Sequence, residues 1–109
     1  MANNFSDATV AISNNSLTDI VTASNKSMVI AGTLSNTGTA AINVTVKKYD
    51  ASATTAFSII TLAPLPAGSS LQLPKIVLQT SDKVQAQSDN SSGNLTVALQ
   101  LLTDVALCI

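Results

Sequence analysis

The sequence predicts an all-β domain, a compact antiparallel β-sandwich or jelly-roll-like barrel of about seven or eight short strands, and three observations predict it. Helix signals are missing: the 109-residue chain has neither Glu nor Arg, and no capping residue opens a run with apolar groups every three to four positions. Val, Ile and Thr are abundant, and their branched side chains pack well on a pleated surface but crowd a helix. Turn residues recur at intervals of roughly 8 to 12 residues, with stretches of apolar and polar alternation between them.

Residues 1–16 are polar and rich in Asn and Ser, with Phe5, Val10 and Ile12 scattered among them, and read as an arm or a first edge strand. Residues 17–23 alternate without a clean apolar face, and Asn25 with Lys26 then turns the chain. SMVIAGTLSN follows, with Met28, Ile30, Gly32 and Leu34 expected on one side, and NTGT (residues 36–39) is a turn in which Gly38 can take positive φ. AINVTVKKYD is the clearest strand of the first half: Ile42, Val44 and Val46 alternate with Asn43, Thr45 and Lys47, one set for a core and one for water.

After the ASATT loop, residues 56–63 carry Phe57, Ile59, Ile60 and Leu62, a density that predicts burial on both faces or under a loop. Pro64, Pro66 and Gly68 end that strand, because proline cannot donate to a ladder. Two short strands follow, one with Leu71 and Leu73 and one with Ile76 and Leu78, broken at Pro74. In KVQAQS, Val84 and Ala86 point inward, DNSSGN is a hairpin loop, and LTVALQLLT closes the domain with Leu95, Val97, Leu99 and Leu101 on one face.

Composition excludes several classes of function. No histidine is present, so neither a zinc site nor the commonest general base can be written, and the single cysteine, Cys108, allows no intrachain disulfide. The six aspartates, Asp7, Asp19, Asp50, Asp82, Asp89 and Asp104, all fall beside turns or strand ends, where Asp bonds nearby backbone. No S-x-x-K pattern supports a Ser/Lys dyad, and Asp89 to Asn94 lacks the Glu that closes a calcium loop. The chain is therefore expected to be no enzyme and to use no cofactor.

A net charge of −1 and the absence of glycine-rich phosphate motifs speak against nucleic acid as a partner. No run reaches 18 apolar residues, so no membrane span is expected, and residues 1–15 lack the basic leader and apolar run of a secretory signal. The N-x-S/T triplets at Asn4, Asn14, Asn25, Asn43, Asn90 and Asn94 follow by chance from abundant Asn, Ser and Thr. Lys47 and Lys48, the one basic pair, read as a solvated strand edge that discourages stray pairing, and Tyr49 is the one candidate for a sugar contact.

Charged residues make up 10% of the chain against roughly 25% in an average soluble domain, so the surface is built of Ser, Thr, Asn, Gln and Ala. Such a surface suits a domain whose flanks are covered by neighbours. VALCI, beyond the last clear strand, is an apolar tail that folds back on the core or docks on a neighbour. The chain divides accordingly into residues 1–16 (arm or edge strand), 17–103 (sandwich) and 104–109 (tail), with Phe5, Val10, Ile12, Val105, Leu107 and Ile109 as candidate partner contacts.

Five segments over roughly residues 28 to 102, MVIAGTLSN, AINVTVKKYD, LAPLPAGSSLQL, KIVLQTSDKVQAQS and SGNLTVALQLL, resemble in spacing and strand pattern a type of small bacteriophage virion protein. Proteins of that type serve as capsid decoration (cement) proteins or as head, neck and tail components. The resemblance implies a β-sandwich, a homo-oligomer with the trimer as a common form, and the major capsid protein or other virion proteins as partners. It also implies a place in the virion after synthesis in the host cytoplasm, and turn roles for Asp82 and Pro66-Ala67-Gly68. VALCI is a departure, since such a chain is expected to stop soon after its last strand. A neck or tail-fibre component and a free ligand- or carbohydrate-binding sandwich are the alternatives.

Overall fold

A computed structural model describes residues 4–103. Within them lie nine strands: β1 (Asn4–Ile12), β2 (Thr18–Thr22), β3 (Ser27–Asn36), β4 (Ile42–Asp50), β5 (Thr55–Leu65), β6 (Ser70–Leu73), β7 (Ile76–Leu78), β8 (Lys83–Ser88) and β9 (Leu95–Thr103). Sheet A has the order β1-β9-β3-β6, with β7 also paired to β3, and sheet B the order β2-β8-β4-β5, every pair antiparallel.

The pairing is nested about the β4–β5 turn. β4 pairs β5, β3 pairs β6 and β7, β2 pairs β8, and β1 pairs β9, so the chain forms one long hairpin rolled into two sheets. That is the jelly-roll order, and it decides between the architectures that strand spacing alone leaves open.

Alternation places the core between the sheets. Leu95, Val97, Leu99 and Leu101 of β9, Val84 and Ala86 of β8, and Ile42, Val44 and Val46 of β4 are all buried, as their period of two predicts. Gly32 belongs to the same packing: a Cβ there would lie 2.8 Å from Leu99 Cδ2 and 3.0 Å from Leu73 Cδ1, so two leucines meet over the bare backbone.

Two strands differ from the expectation. In β3 the buried residues are Ser27, Val29, Gly32, Leu34 and Asn36, whereas Met28 and Ile30 are half-buried, because the register against β9 shifts between Val29 and Ala31. That bulge reverses the phase of alternation along the strand, so Met28 and Leu34 do not share a face. In β5, Phe57 is 53% and Leu62 61% exposed, and neither is covered by a loop. β5 is the outer strand of sheet B with one neighbour, β4, and its register shifts twice, between Val44 and Val46 and between Val46 and Lys47 of β4. Pro64 lies within β5 rather than beyond it, a place open to proline because an edge strand has one side without ladder bonds.

Candidate interaction surfaces

Each carboxylate with a described side-chain bond serves the scaffold. Asp82 is 2% exposed: Oδ1 accepts the Ala51 N–H at 3.0 Å, Oδ2 accepts the Gln79 N–H at 3.0 Å, and Lys48 Nζ stands 3.7 Å from Oδ2. The aspartate thereby ties the β4–β5 turn to the β7–β8 turn, so the turn role implied for it is a long-range one. Neither Lys47 nor Lys48 can guard a sheet edge, because β4 lies between β8 and β5.

Asp89 accepts both the backbone N–H and the Nδ2 of Asn43. Asp50 caps its own turn, and the Ser52 hydroxyl, then the Ala53 N–H, hold its carboxyl below the ordinary value. Asp19 is lowered chiefly by the hydrogen bond from Gln85, with Lys83 at 3.2 Å adding to it and burial opposing it. Lys83 Nζ also lies 5.6 Å from the centroid of the Tyr49 ring, so a cation already attends that ring.

Among the described residues no group of three His, Cys, Asp or Glu side chains could hold a metal ion. A small dimple is lined by Asn43, Thr45, Leu62, Gln87, Ser88 and Asp89. It forms where Leu62 takes a φ of 46° at the β5 bulge and donates its N–H to Thr45 Oγ1 at 3.2 Å.

The apolar surface is more informative. Phe5 of β1 pairs Leu102 of β9, Leu102 pairs Met28 of β3, and Met28 pairs Val77 of β7. Paired residues share a face, so these four form one apolar row across the outside of sheet A, with Phe5 81% and Val77 47% exposed. The next outward rows are polar or small: Asp7, Gln100 and Ala31, then Thr9, Ala98, Thr33 and Gln72.

Of the candidate contacts named from sequence, Phe5 stands in solvent and Val10 packs partly against the core. Ile12 is a correction: at 4% exposure it is a core residue at the inner end of β1, so its side chain is not offered to a partner. Val105, Leu107 and Ile109 lie outside the described residues. Met28, Leu102 and Val77 were missed because their row exists only once four strands are in register.

The fold defines a class, the antiparallel jelly-roll sandwich, and comparison with solved structures finds the following similarities. The structure of infectious bursal disease virus Gx strain matches at 12% identity with a TM-score of 0.55, over 93% of this chain and 32% of that one. A pentameric capsid protein isolated from metagenomic phage sequences matches at 20% identity and a TM-score of 0.49, over 92% of this chain and 61% of that one. The cyanophage Pam1 capsid asymmetric unit matches at 19% identity and a TM-score of 0.46, over 93% and 84% respectively. No family model and no curated protein matches the chain. At 12% identity the likeness to the bursal disease virus structure is one of fold alone.

Proposed function

We propose that this chain is a non-enzymatic virion structural protein, a capsid decoration or cement protein that seats on the major capsid protein and stabilises the shell. The jelly roll hosts viral capsid domains and lectins alike, so fold by itself does not select this reading. The observation that carries it is the row Phe5, Leu102, Met28 and Val77: apolar groups aligned on the outside of a sheet, in a chain with 10% charged residues. Contiguous exposed apolar surface marks an interaction site. The sequence resemblance to small phage virion proteins supports the same reading.

The test is the copy number of the protein in purified particles, measured by quantitative mass spectrometry against the major capsid protein. A ratio on the order of one to one is the expected result. A handful of copies per particle would assign it to the neck or tail instead, and absence from particles would leave a free binding module.

A further inference from the structure

We propose that β1 is the edge through which two copies of this chain pair, antiparallel about a two-fold axis at Ala8, so that sheet A runs on across a homodimer. This inference stands independently of the particle role.

A two-sheet fold leaves four open edges, each with unpaired N–H and C=O groups that can template another strand. Three of them carry interruptions. β5 has two register shifts, Pro64 in its length and Leu62 at a φ of 46°. β2 is five residues long and shifts register between Asp19 and Val21. The far edge of sheet A is divided into β6 and β7, with Pro74 between them.

β1 carries none of these devices. Its nine residues stay in one register with β9 from Asn4↔Thr103 to Ile12↔Leu95, without Pro, Gly or Lys, and its one charge is Asp7. Among the described residues, β9 is the strand that pairs with it.

The guarded edges identify the occupant. In a second copy, the edge that matches β1 in length and regularity is β1 itself. A surface that pairs with its own copy generates a two-fold axis and closes at the dimer. Full overlap of Asn4–Ile12 with its copy sets Phe5 opposite Ala11, Ser6 opposite Val10, Asp7 opposite Thr9, and Ala8 opposite itself.

Three features of that register agree. The inward-directed positions Ser6, Ala8 and Val10 meet one another, so the faces of the two sheets are continuous. Asp7 meets Thr9 and not a second Asp7, which avoids a like-charge pair. Phe5, 81% exposed, meets the small Ala11, which leaves room for the ring.

The experiment is the molar mass of the full chain by light scattering on a sizing column and by sedimentation, across a concentration series. The unmodified chain is expected to form a dimer that dissociates on dilution. Thr9→Asp sets an aspartate opposite Asp7 at two symmetric places and is expected to weaken the dimer about tenfold, from two opposed like-charge pairs. Adding Asp7→Lys to Thr9→Asp converts both to opposite-charge pairs and is expected to restore it. Both positions are exposed, and circular dichroism with the melting temperature of each variant checks that the fold is kept. A chain that stays monomeric up to about 1 mM, one that forms trimers or larger rings, or a dimer indifferent to Thr9→Asp would overturn the proposal. None of these outcomes bears on the copy number in particles, so the two readings fail separately.

Discussion

β1 and β5 are both edge strands of the same jelly roll, one on each sheet, and they handle that position in opposite ways. β1 mixes four polar residues with small and large apolar ones and is regular in structure, with every residue from 4 to 12 in one ladder. β5 is rich in large apolar residues yet irregular, with two register shifts, a proline and a leucine at positive φ. The apolar strand is the one that most needs protection from stray pairing, and bulges and proline supply it. The strand with fewer large apolar side chains can stay open because its pairing carries less risk of indiscriminate association. Apolar content and openness are thus separated between the two edges.

The comparison can be broken first at the anchors of each strand. Gly93, at a φ of 73°, packs so close to Ile12 that an added Cβ would collide with the Ile12 carbonyl. Gly93→Ala combines that collision with left-handed strain, and a loss of about 3 kcal/mol is expected. Urea unfolding measures it, and faster amide exchange at the Ile12 end of β1 than in β5 would place the damage.

Asp82→Ala is expected to cost about 2 kcal/mol, because the Ala51 and Gln79 N–H groups lose their acceptor in a partly buried setting. Here exchange should rise in the β4–β5 turn and leave β1 unchanged. If β1 loosened as much, the two edges would not be separately supported.

Leu62→Gly sharpens the contrast in the opposite direction. The side chain is 61% exposed and its backbone left-handed, so removing the Cβ relieves strain at small cost in burial. A gain of about 0.5 kcal/mol is expected, read as a rise in the urea midpoint.

The smallest effect concerns pH. Asp19 has a carboxyl lowered in the folded state, so the stability it adds is complete above its unfolded value and is lost as pH falls through the lower folded value. The side chain is 49% exposed, and screening keeps the contribution below about 0.5 kcal/mol. Asp19→Asn should flatten the acid side of the stability profile by that much, with β2 and β8 affected and neither β1 nor β5.

How much could be read beforehand differs from strand to strand. β8 and β9 were legible because each lies between two neighbours with one face buried and no shift that reverses its pattern across the apolar stretch. β4 keeps its alternation except at Thr45, expected in water but buried, where the register against β5 shifts. β3 was legible as a strand but not in its phase: the bulge between Val29 and Ala31 is set by pairing to β9, and nothing in MVIAG announces it. β5 departs from its sequence expectation because apolar density does not by itself bring burial, which depends on how many neighbours a strand has.

The interaction surfaces were less legible than the fold. Phe5 could be singled out as an apolar residue in a polar stretch. Its companions Met28, Leu102 and Val77 come from three other strands. Asp82 looked like an ordinary turn residue, and its long-range bonds to Ala51 and Gln79 depend on two turns meeting.

By itself the sequence determined the class, all-β with strands of known faces, because the period of alternation and the spacing of turn residues are local properties of the chain. It also determined how few charges the surface could carry. The tertiary structure alone decided the nested jelly-roll pairing, which strands became edges, and which outward residues fell into one row. Those are relations between segments far apart in the chain, set by the hydrogen-bond register that lets both sheets bury their apolar faces together.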